Sequence, residues 1–271
     1  MQRLGQHFLK NKGAIKKIVA ALDLRPGDMV VEIGAGHGEL TEVLLNAERK
    51  VRIVAIEKDL ELVNFLRKKF LSDKNMEIIE GDALKIIPEL DRGRFATSGK
   101  QFAIAGNIPY YLSGKLLRLI GELRIKPAVC VLTLQREVAE RIAAEPPRMN
   151  RLAASIQFWA EPEILGYIPK KDFAPPPEVD SAMIRLKVKS GKLKVGAENY
   201  YKTVRILFQQ PRKTILNNLA SGIKCRASKN KETGHERGKI AEKLLKIYIN
   251  PHNRPQNLSV EDIVRISNIV W

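Results

Sequence analysis

The stretch Val30–Thr41 reads VVEIGAGHGELT, and it carries the signal that decides the fold. It begins as an apolar run typical of a buried strand and opens into a helix after glycines at positions 34, 36 and 38. Because glycine has no side chain and adopts positive φ freely, the backbone of such a loop can approach a ligand closely. The stretch therefore predicts a strand, a ligand-binding loop and a helix, in that order.

Strand-like and helix-like segments alternate on both sides of this stretch. The predicted strands are DMVVEIG (28–34), VRIVAIE (51–57), NMEIIEGDAL (75–84, with its turn), QFAIAGN (101–107), PAVCVLTL (127–134), EILGYI (163–168) and SAMIRLKV (181–188). The predicted helices span residues 13–22, 39–46, 60–70, 113–122 and 137–144. This alternation predicts an α/β fold with a doubly wound, mainly parallel sheet. No long helix separates the last two strands, so we expect an antiparallel edge.

The C-terminal third of the chain has helical patterns instead of this alternation. Predicted helices cover residues 199–209, 214–221, 239–247 and 259–269, with a mobile loop at CRASKNKETGHERG (225–238). The stretch SGKLKVG (190–196) is typical of a linker. We therefore expect two domains: one that carries the sheet over residues 1–189, and a small basic helical domain over residues 197–271.

Carboxylates at two strand ends indicate a nucleoside ligand. Glu57 ends the strand after the glycine loop, 19 residues beyond Gly38, where it can accept hydrogen bonds from both ribose hydroxyls. Asp82 follows the third strand and, with the Ala83 backbone beside it, is placed to bind an adenine amino group. A dinucleotide enzyme would have a third glycine where Glu39 stands, and a pyrophosphate beside that carboxylate would be unfavourable. The loop instead resembles that of S-adenosylmethionine methyltransferases, whose cofactor has no phosphate.

The fourth strand ends in Asn-Ile-Pro-Tyr (107–110), which resembles the N/D-P-P-Y/F loop of methyltransferases that act on amino groups of nucleic-acid bases. An adenine N6 lone pair is delocalised into the ring. Hydrogen bonds from its two hydrogens to the Asn107 amide oxygen and to the Ile108 carbonyl would aim that lone pair at a methyl group. Pro109 restricts the preceding residue to extended conformations, and Tyr110 offers a face for stacking an extruded base.

With these motifs in place, nearly the whole chain resembles the ribosomal RNA adenine dimethyltransferase family. The matching stretches are LGQHFLKN, VEIGAGHGELT, IEKDLEL, GDAL, NIPYYLS, LQREVAERI, FAPPPEVDSAMIRL and PRKTILNNL. The family dimethylates two adjacent adenosines in the terminal hairpin of small-subunit ribosomal RNA and is related to the macrolide-resistance methyltransferases. The resemblance implies S-adenosylmethionine as cofactor and small-subunit ribosomal RNA, or a precursor particle, as partner.

The resemblance also implies roles for individual residues. The cofactor-binding set is His7, Leu9, Gly34, Gly36, Glu57, Asp82, Ala83 and Asn107. The catalytic set is Asn107, Pro109, Tyr110 and Phe173, with Phe173 stacking on the target adenine. Taken without the family, Phe173 is typical of a core and His7 of a surface. Arg212 and Lys213 are the implied RNA contacts, although Pro211 stands where the family often has another arginine.

Charge and cysteine content narrow the classes of function. The net charge is +17, and residues 189–271 hold 17 lysines and arginines against 6 acids, a balance of +11. Such concentration favours a polyanionic partner, and no basic amphipathic helix with aromatic anchors points to a membrane surface. Two cysteines provide neither a disulfide framework nor a cysteine metal site, and no other metal site is predicted. We expect a monomer that is soluble and cytoplasmic.

Three other readings stay open on the sequence. A resistance-type enzyme would methylate an adenine of large-subunit RNA, but PRKTILNNL and the basic helical domain resemble the small-subunit group more. A DNA adenine methyltransferase shares the chemistry, yet no separate sequence-reading domain is apparent. A non-catalytic ribosome-assembly or transcription factor would not need an intact Asn107 site.

Overall fold

The computed structural model describes residues 6–47, 51–93, 101–189, 195–224 and 233–271. The chain divides into two compact units. The first is formed by Met1–Glu140 and Trp159–Lys189, and the second by Arg141–Phe158 and Ser190–Trp271.

The first unit is built on a mostly parallel sheet. The strands in the described residues are β1 (Phe8–Leu9), β2 (Met29–Ile33), β3 (Arg52–Glu57), β4 (Met76–Glu80), β5 (Phe102–Asn107), β6 (Val129–Gln135), β7 (Ala160–Ile168), β8 (Phe173–Ala174) and β9 (Ser181–Val188). Seven of them form one sheet in the order β4-β3-β2-β5-β6-β9-β7. β9 is antiparallel to both of its neighbours, β6 and β7, and the other pairs are parallel. The predicted fold, including its antiparallel edge, is confirmed.

Helices connect and cover these strands. The described helices are α1 (Lys12–Ala21), α2 (Glu39–Leu45), α3 (Leu60–Lys69), α4 (Ala83–Arg92), α5 (Ser113–Glu122), α6 (Arg136–Ile142), α7 (Arg151–Gln157), α8 (Ala197–Leu207), α9 (Ile215–Lys224), α10 (Thr233–Lys246) and α11 (Val260–Val270). Asn11, Asp59 and Asp82 each accept a backbone N–H at the first turn of α1, α3 and α4. These side chains satisfy N–H groups that a helix start otherwise leaves unpaired. No described helix has the length and apolar character needed to cross a membrane.

The glycine loop has the backbone conformation that its sequence predicts. Gly36 has φ +58°, and a Cβ atom there would lie 2.9 Å from the Phe8 ring. Gly38 has φ +82°, and its Cβ would lie 2.7 Å from Phe70. Positive φ and this close packing together require glycine at both positions.

The second unit includes a segment that the sequence pattern assigns to the first domain. In the described residues 141–158, Phe158 stacks on Tyr200 with ring centroids 3.8 Å apart, and the Tyr200 hydroxyl donates to the Ala154 carbonyl at 2.9 Å. Met149 and Ala153 lie in the same buried cluster. Burial of this segment against α8 explains why the boundary falls near residue 141 as well as near residue 190.

Two further details differ from the expected pattern. α4 and α7 are helices at positions where none is predicted. The predicted mobile loop is wrong from residue 233 onward, because α10 begins there. Residues 225–232, including Cys225, and residues 190–194 of the predicted linker lie outside the described part of the chain.

Candidate active site

The carboxyl ends of the parallel strands border a cleft that encloses about 850 Å³, part of it open to solvent. This main cleft lies at the sheet edge where α/β folds bind ligands. It is lined by ten of the predicted residues: His7, Gly34, Gly36, Glu57, Asp82, Ala83, Asn107, Pro109, Tyr110 and Phe173. Residues separated by more than 160 positions in sequence thus meet at one site.

Glu57 is a buried carboxylate that the backbone already holds. Its Oε2 accepts the Gly36 N–H at 2.9 Å, and its Oε1 accepts the N–H groups of Lys58 at 2.8 Å and Asp59 at 3.0 Å. A carboxylate offers about four acceptor positions. The three backbone bonds fix the side chain and tie it to the glycine loop, leaving about one position for a ligand.

Asp82 caps α4 and faces a lysine. It accepts the Leu84 N–H at 3.0 Å and lies 3.3 Å from the Lys58 ammonium. Partial burial alone would raise the pKa of Asp82, but the Leu84 hydrogen bond and Lys58 lower it below its usual value. Asp82 is therefore ionised and can accept a hydrogen bond from an amino group.

Asn107 ends β5 with its amide in a fixed orientation. Its Nδ2 lies 2.5 Å from the backbone carbonyl of His7. A carbonyl only accepts hydrogen bonds, so the atom that faces it must be the amide nitrogen. The His7 ring in turn donates from Nδ1 to the Pro175 carbonyl at 2.9 Å. The Asn107 Oδ1 is thereby left as the acceptor that the side chain can offer to a ligand.

Aromatic side chains form the wall beside Asn107. Phe173 lines the main cleft although only 4% of it is exposed, and its strand β8 pairs with β1 through Leu9. The His7 and Tyr110 rings are stacked with centroids 5.9 Å apart. Phe173 thus has the burial of a core residue and also lines the main cleft.

Leu9 does not line the main cleft. It is 6% exposed and borders a neighbouring cavity of about 400 Å³, whose lining also includes Glu32, Gly34 and Asn107. Sequence reasoning missed Phe8 and Lys58, which do line the main cleft. The Phe8 ring packs on Gly36. A glycine at this position therefore indicated indirectly that a bulky side chain lies against the loop.

Glu32, beside the glycine loop, should make the free energy of unfolding depend on pH. It is 1% exposed and accepts the Thr41 hydroxyl at 2.7 Å. Burial is the main cause that raises its pKa to about 8, and the charges of Glu39 and Glu57 add to the shift. An unfolded chain releases this proton near pH 4.5, whereas the folded chain keeps it to about pH 8, so folding is progressively penalised as pH rises across that window.

We therefore expect the free energy of unfolding of Glu32→Gln to increase relative to that of wild type as the pH rises from about 5 to about 9. The difference should grow by about 1 to 2 kcal/mol, since the effective dielectric of protein interiors limits the cost of a buried charge. Urea unfolding of both proteins across this range measures it. A difference that does not change with pH would show that Glu32 is ionised throughout.

The predicted RNA contacts lie in the second unit. Arg212 and Lys213 are exposed on the turn that precedes α9. Asn218, which is 3% exposed, holds this turn by accepting the Gln210 N–H and donating to the Gln210 and Thr214 carbonyls. Arg212 and Lys213 therefore lie on a turn that is hydrogen-bonded to α9.

The lining of the main cleft suits a nucleoside with hydroxyl and amino donors. Glu57 and Asp82 are acceptors, whereas a phosphate at the start of α2 would meet Glu39, which pairs with Lys10 at 2.5 Å. The residues present therefore fit S-adenosylmethionine better than a dinucleotide.

This fold and this cleft define the class of S-adenosylmethionine-dependent methyltransferases. A family model described as ribosomal RNA adenine dimethylase matches residues 1–270. The chain belongs to that family. It is 36% identical over 261 residues to the ribosomal RNA small subunit methyltransferase A of Dehalococcoides mccartyi, covering 96% of this chain and 84% of the relative. It is 37% identical over 276 residues to the protein of the same name from Pelotomaculum thermopropionicum, covering 98% and 89%.

Solved structures agree with this assignment. A dimethyladenosine transferase from Plasmodium falciparum superposes with a TM-score of 0.78 at 26% identity, covering 96% of both chains. The 23S rRNA methyltransferase ErmE superposes with a TM-score of 0.72 at 24% identity, covering 97% of this chain and 99% of its own. The second likeness is evidence for the fold alone.

Proposed function

We propose that this protein transfers methyl groups from S-adenosylmethionine to N6 of adenosines in ribosomal RNA. Its substrate would be two adjacent adenosines in the 3′-terminal hairpin of small-subunit RNA, each dimethylated during ribosome biogenesis. Family membership and relatives named for the small subunit support this choice over large-subunit RNA. The observation that carries the proposal is the Asn107 amide, whose nitrogen is held by His7 and whose oxygen is left to accept from an amino group.

The cofactor would be held by the glycine loop and the two strand-end carboxylates. In this proposal Gly34 and Gly36 allow close approach of the backbone, Glu57 accepts from the ribose, and Asp82 with Ala83 binds the adenine. When bound, S-adenosylmethionine supplies an electrophilic methyl group. The ionised state of Asp82 and the backbone bonds on Glu57 mean that both acceptors are organised beforehand.

The target amino group would be oriented by Asn107 and the backbone that follows it. The Asn107 Oδ1 and the Ile108 carbonyl would each accept one N6 hydrogen and direct the nitrogen lone pair along the transfer axis. Pro109 has φ −53° and ψ 132°, an extended conformation, and contributes no competing N–H. The methylated nitrogen is acidic and would lose its proton to water, so no strong base is required.

Base capture would use the aromatic wall. Tyr110 and Phe173 both line the main cleft beside Asn107, where an extruded adenine could stack. Stacking contributes about 1 to 3 kcal/mol per base in other nucleic-acid sites. Both side chains therefore support capture of the base more than the transfer step itself.

The basic second unit is proposed to bind the phosphate backbone. Each phosphate contact changes the slope of log affinity against log salt by roughly 0.7 to 0.9. We therefore expect Arg212→Ala with Lys213→Ala to lower the magnitude of that slope by roughly 1.4 to 1.8. Fluorescence titration of a small-subunit RNA hairpin at several salt concentrations measures it.

A charge-matched control for that measurement is Arg205→Ala with Lys246→Ala, which removes two exposed cations of the same unit. An Arg212/Lys213 variant with the wild-type slope would contradict this role. It would direct attention to the lysines at positions 10, 12, 16 and 17 of the first unit. Truncation near residue 190 is a poorer experiment, because it would leave residues 141–158 without Tyr200 and its core.

Labelled methyl transfer to four substrates tests the proposed function. Small subunits, naked small-subunit RNA, large-subunit RNA and DNA are compared with one enzyme preparation and one cofactor concentration. Label in small-subunit RNA, as the particle or naked, supports the proposal. Label confined to large-subunit RNA or DNA would overturn it, and RNA binding without transfer would favour a non-catalytic assembly factor.

Activity on ribosomal RNA also supports a cytoplasmic location, and the monomeric state stays a prediction.

A further inference from the structure

The hydroxyl groups of Tyr110 and Ser181 lie 3.0 Å apart and form a hydrogen bond. Ser181 is fully buried at the first position of β9. Its backbone is paired on both sides, with Gln135 of β6 and Ile168 of β7. The Ser181 hydroxyl is therefore a fixed point at the edge of the sheet that borders the main cleft.

The Tyr110 ring is held at two places. Its hydroxyl is held by Ser181, and its ring is stacked on His7, whose carbonyl orients Asn107. Burial raises the pKa of Tyr110 more than the hydrogen bond with Ser181 lowers it, and the charge of Asp180 adds to the rise, so the phenol stays neutral and keeps its O–H. Tyr110 begins a single 3₁₀ turn, and its neighbour Tyr111 is 61% exposed with no such anchor among the described residues.

A tyrosine side chain turns about two torsions. Because its hydroxyl lies on the axis of the second, a hydrogen bond at the hydroxyl restricts the first torsion, whereas the stack on His7 restricts the second. A stacking surface captures a base only if its plane is already aligned, because ordering it during binding costs affinity. The bond to Ser181 therefore fixes where the Tyr110 ring lies at the main cleft, and the stack on His7 holds the plane of that ring.

We propose that Ser181 is a positioning residue for capture of the target base, acting through the Tyr110 ring. This inference rests on the proposed function. It assigns a role to a residue that does not line the main cleft. It also explains the placement of a hydroxyl at a fully buried strand position, where an apolar residue would otherwise be expected.

A double-mutant cycle tests the proposal with Ser181→Ala, Tyr110→Phe and the two combined. Each single change removes the same hydrogen bond, keeps the ring and leaves one buried hydroxyl unpaired. We expect each to raise the KM for RNA by about 5- to 10-fold with kcat changed less than about twofold. The double variant should be no worse than either single, because it leaves no unpaired hydroxyl. Cofactor affinity by calorimetry should not change.

The fluorescence of a base analogue distinguishes a positioning role of Ser181 from a purely structural one. With 2-aminopurine at the target position of the RNA hairpin, binding to the wild type should change the fluorescence of the analogue as it leaves the RNA stack and stacks on Tyr110, and both single variants should give a smaller change. Ser113→Ala is the matched control. Ser113 is 3% exposed, follows the same turn, and its hydroxyl has no partner within the described residues, so its loss should leave the KM for RNA unchanged.

Three outcomes would overturn the inference: a wild-type KM for RNA in Ser181→Ala, strictly additive effects in the double variant, or an equal loss of cofactor affinity. If Ser181→Ala does not fold, Tyr110→Phe carries the test, because it keeps the buried ring. A wild-type protein that methylates no RNA would instead count against the proposed function, which the substrate comparison detects separately.

Discussion

Replacing Asn107 with alanine is expected to slow methyl transfer by roughly 100-fold or more, with much smaller effects on cofactor and RNA binding. The reason is geometric. The Asn107 Oδ1 would accept a hydrogen bond that becomes strong only as the adenine nitrogen approaches tetrahedral geometry, so its loss weakens the transition state and not the ground state. Single-turnover rates at saturating RNA and cofactor measure this without a contribution from binding.

A companion variant separates the two ends of the Asn107 amide. In the wild type the His7 carbonyl accepts the Asn107 amide N–H at 2.5 Å. Asn107→Asp keeps an oxygen toward the substrate but places a second acceptor against that carbonyl. It should therefore retain more transfer than the alanine variant while losing stability. A single-turnover rate for Asn107→Ala within a few-fold of wild type would make Asn107 only a turn residue.

The second large effect is expected at Glu57, where alanine should weaken cofactor binding by about 10- to 150-fold. Loss of the one charge-assisted hydrogen bond that Glu57 can offer a ligand costs about 1.5 to 3 kcal/mol. The structure adds a second reason, because the Gly36 N–H also loses its acceptor and the glycine loop loses a restraint. Isothermal titration with S-adenosylmethionine measures the affinity directly.

Glu80 provides the matched control for Glu57. It pairs with Glu57 across β3 and β4, is exposed and lies outside the lining of the main cleft. Glu80→Ala removes the same charge from the same end of the sheet, so its cofactor affinity should equal that of wild type. Unchanged affinity in a folded Glu57→Ala variant would remove Glu57 from the cofactor site.

The strands and the glycine loop were predictable because their signals are local. Apolar runs and turn residues within a few positions of one another are enough to predict β2, β3 and β5. α4 was missed since Pro88 lies inside it, and proline in a helix interior usually argues against a helix. Burial of Ile87 and Leu90 on one face outweighs that local cost.

The parts that could not be predicted depend on contacts distant in sequence. The Asn107 amide is oriented by a carbonyl 100 residues earlier, and the Tyr110 hydroxyl by a serine 71 residues later. No pattern within a strand or helix reports such pairs. Residues 141–158 join the second unit because Phe158 stacks on Tyr200, which is likewise a distant partner.

The position of the transferred methyl group shows directly whether the enzyme modifies N6 of adenosine. Small-subunit RNA is incubated with the enzyme and S-adenosylmethionine, digested to nucleosides and analysed by mass spectrometry, with Asn107→Ala as the comparison. We expect N6,N6-dimethyladenosine in the wild-type reaction and little or none with the variant. Methyl groups on a ribose oxygen, on a ring nitrogen or on another base would contradict it, as would an equal yield of dimethyladenosine from both proteins.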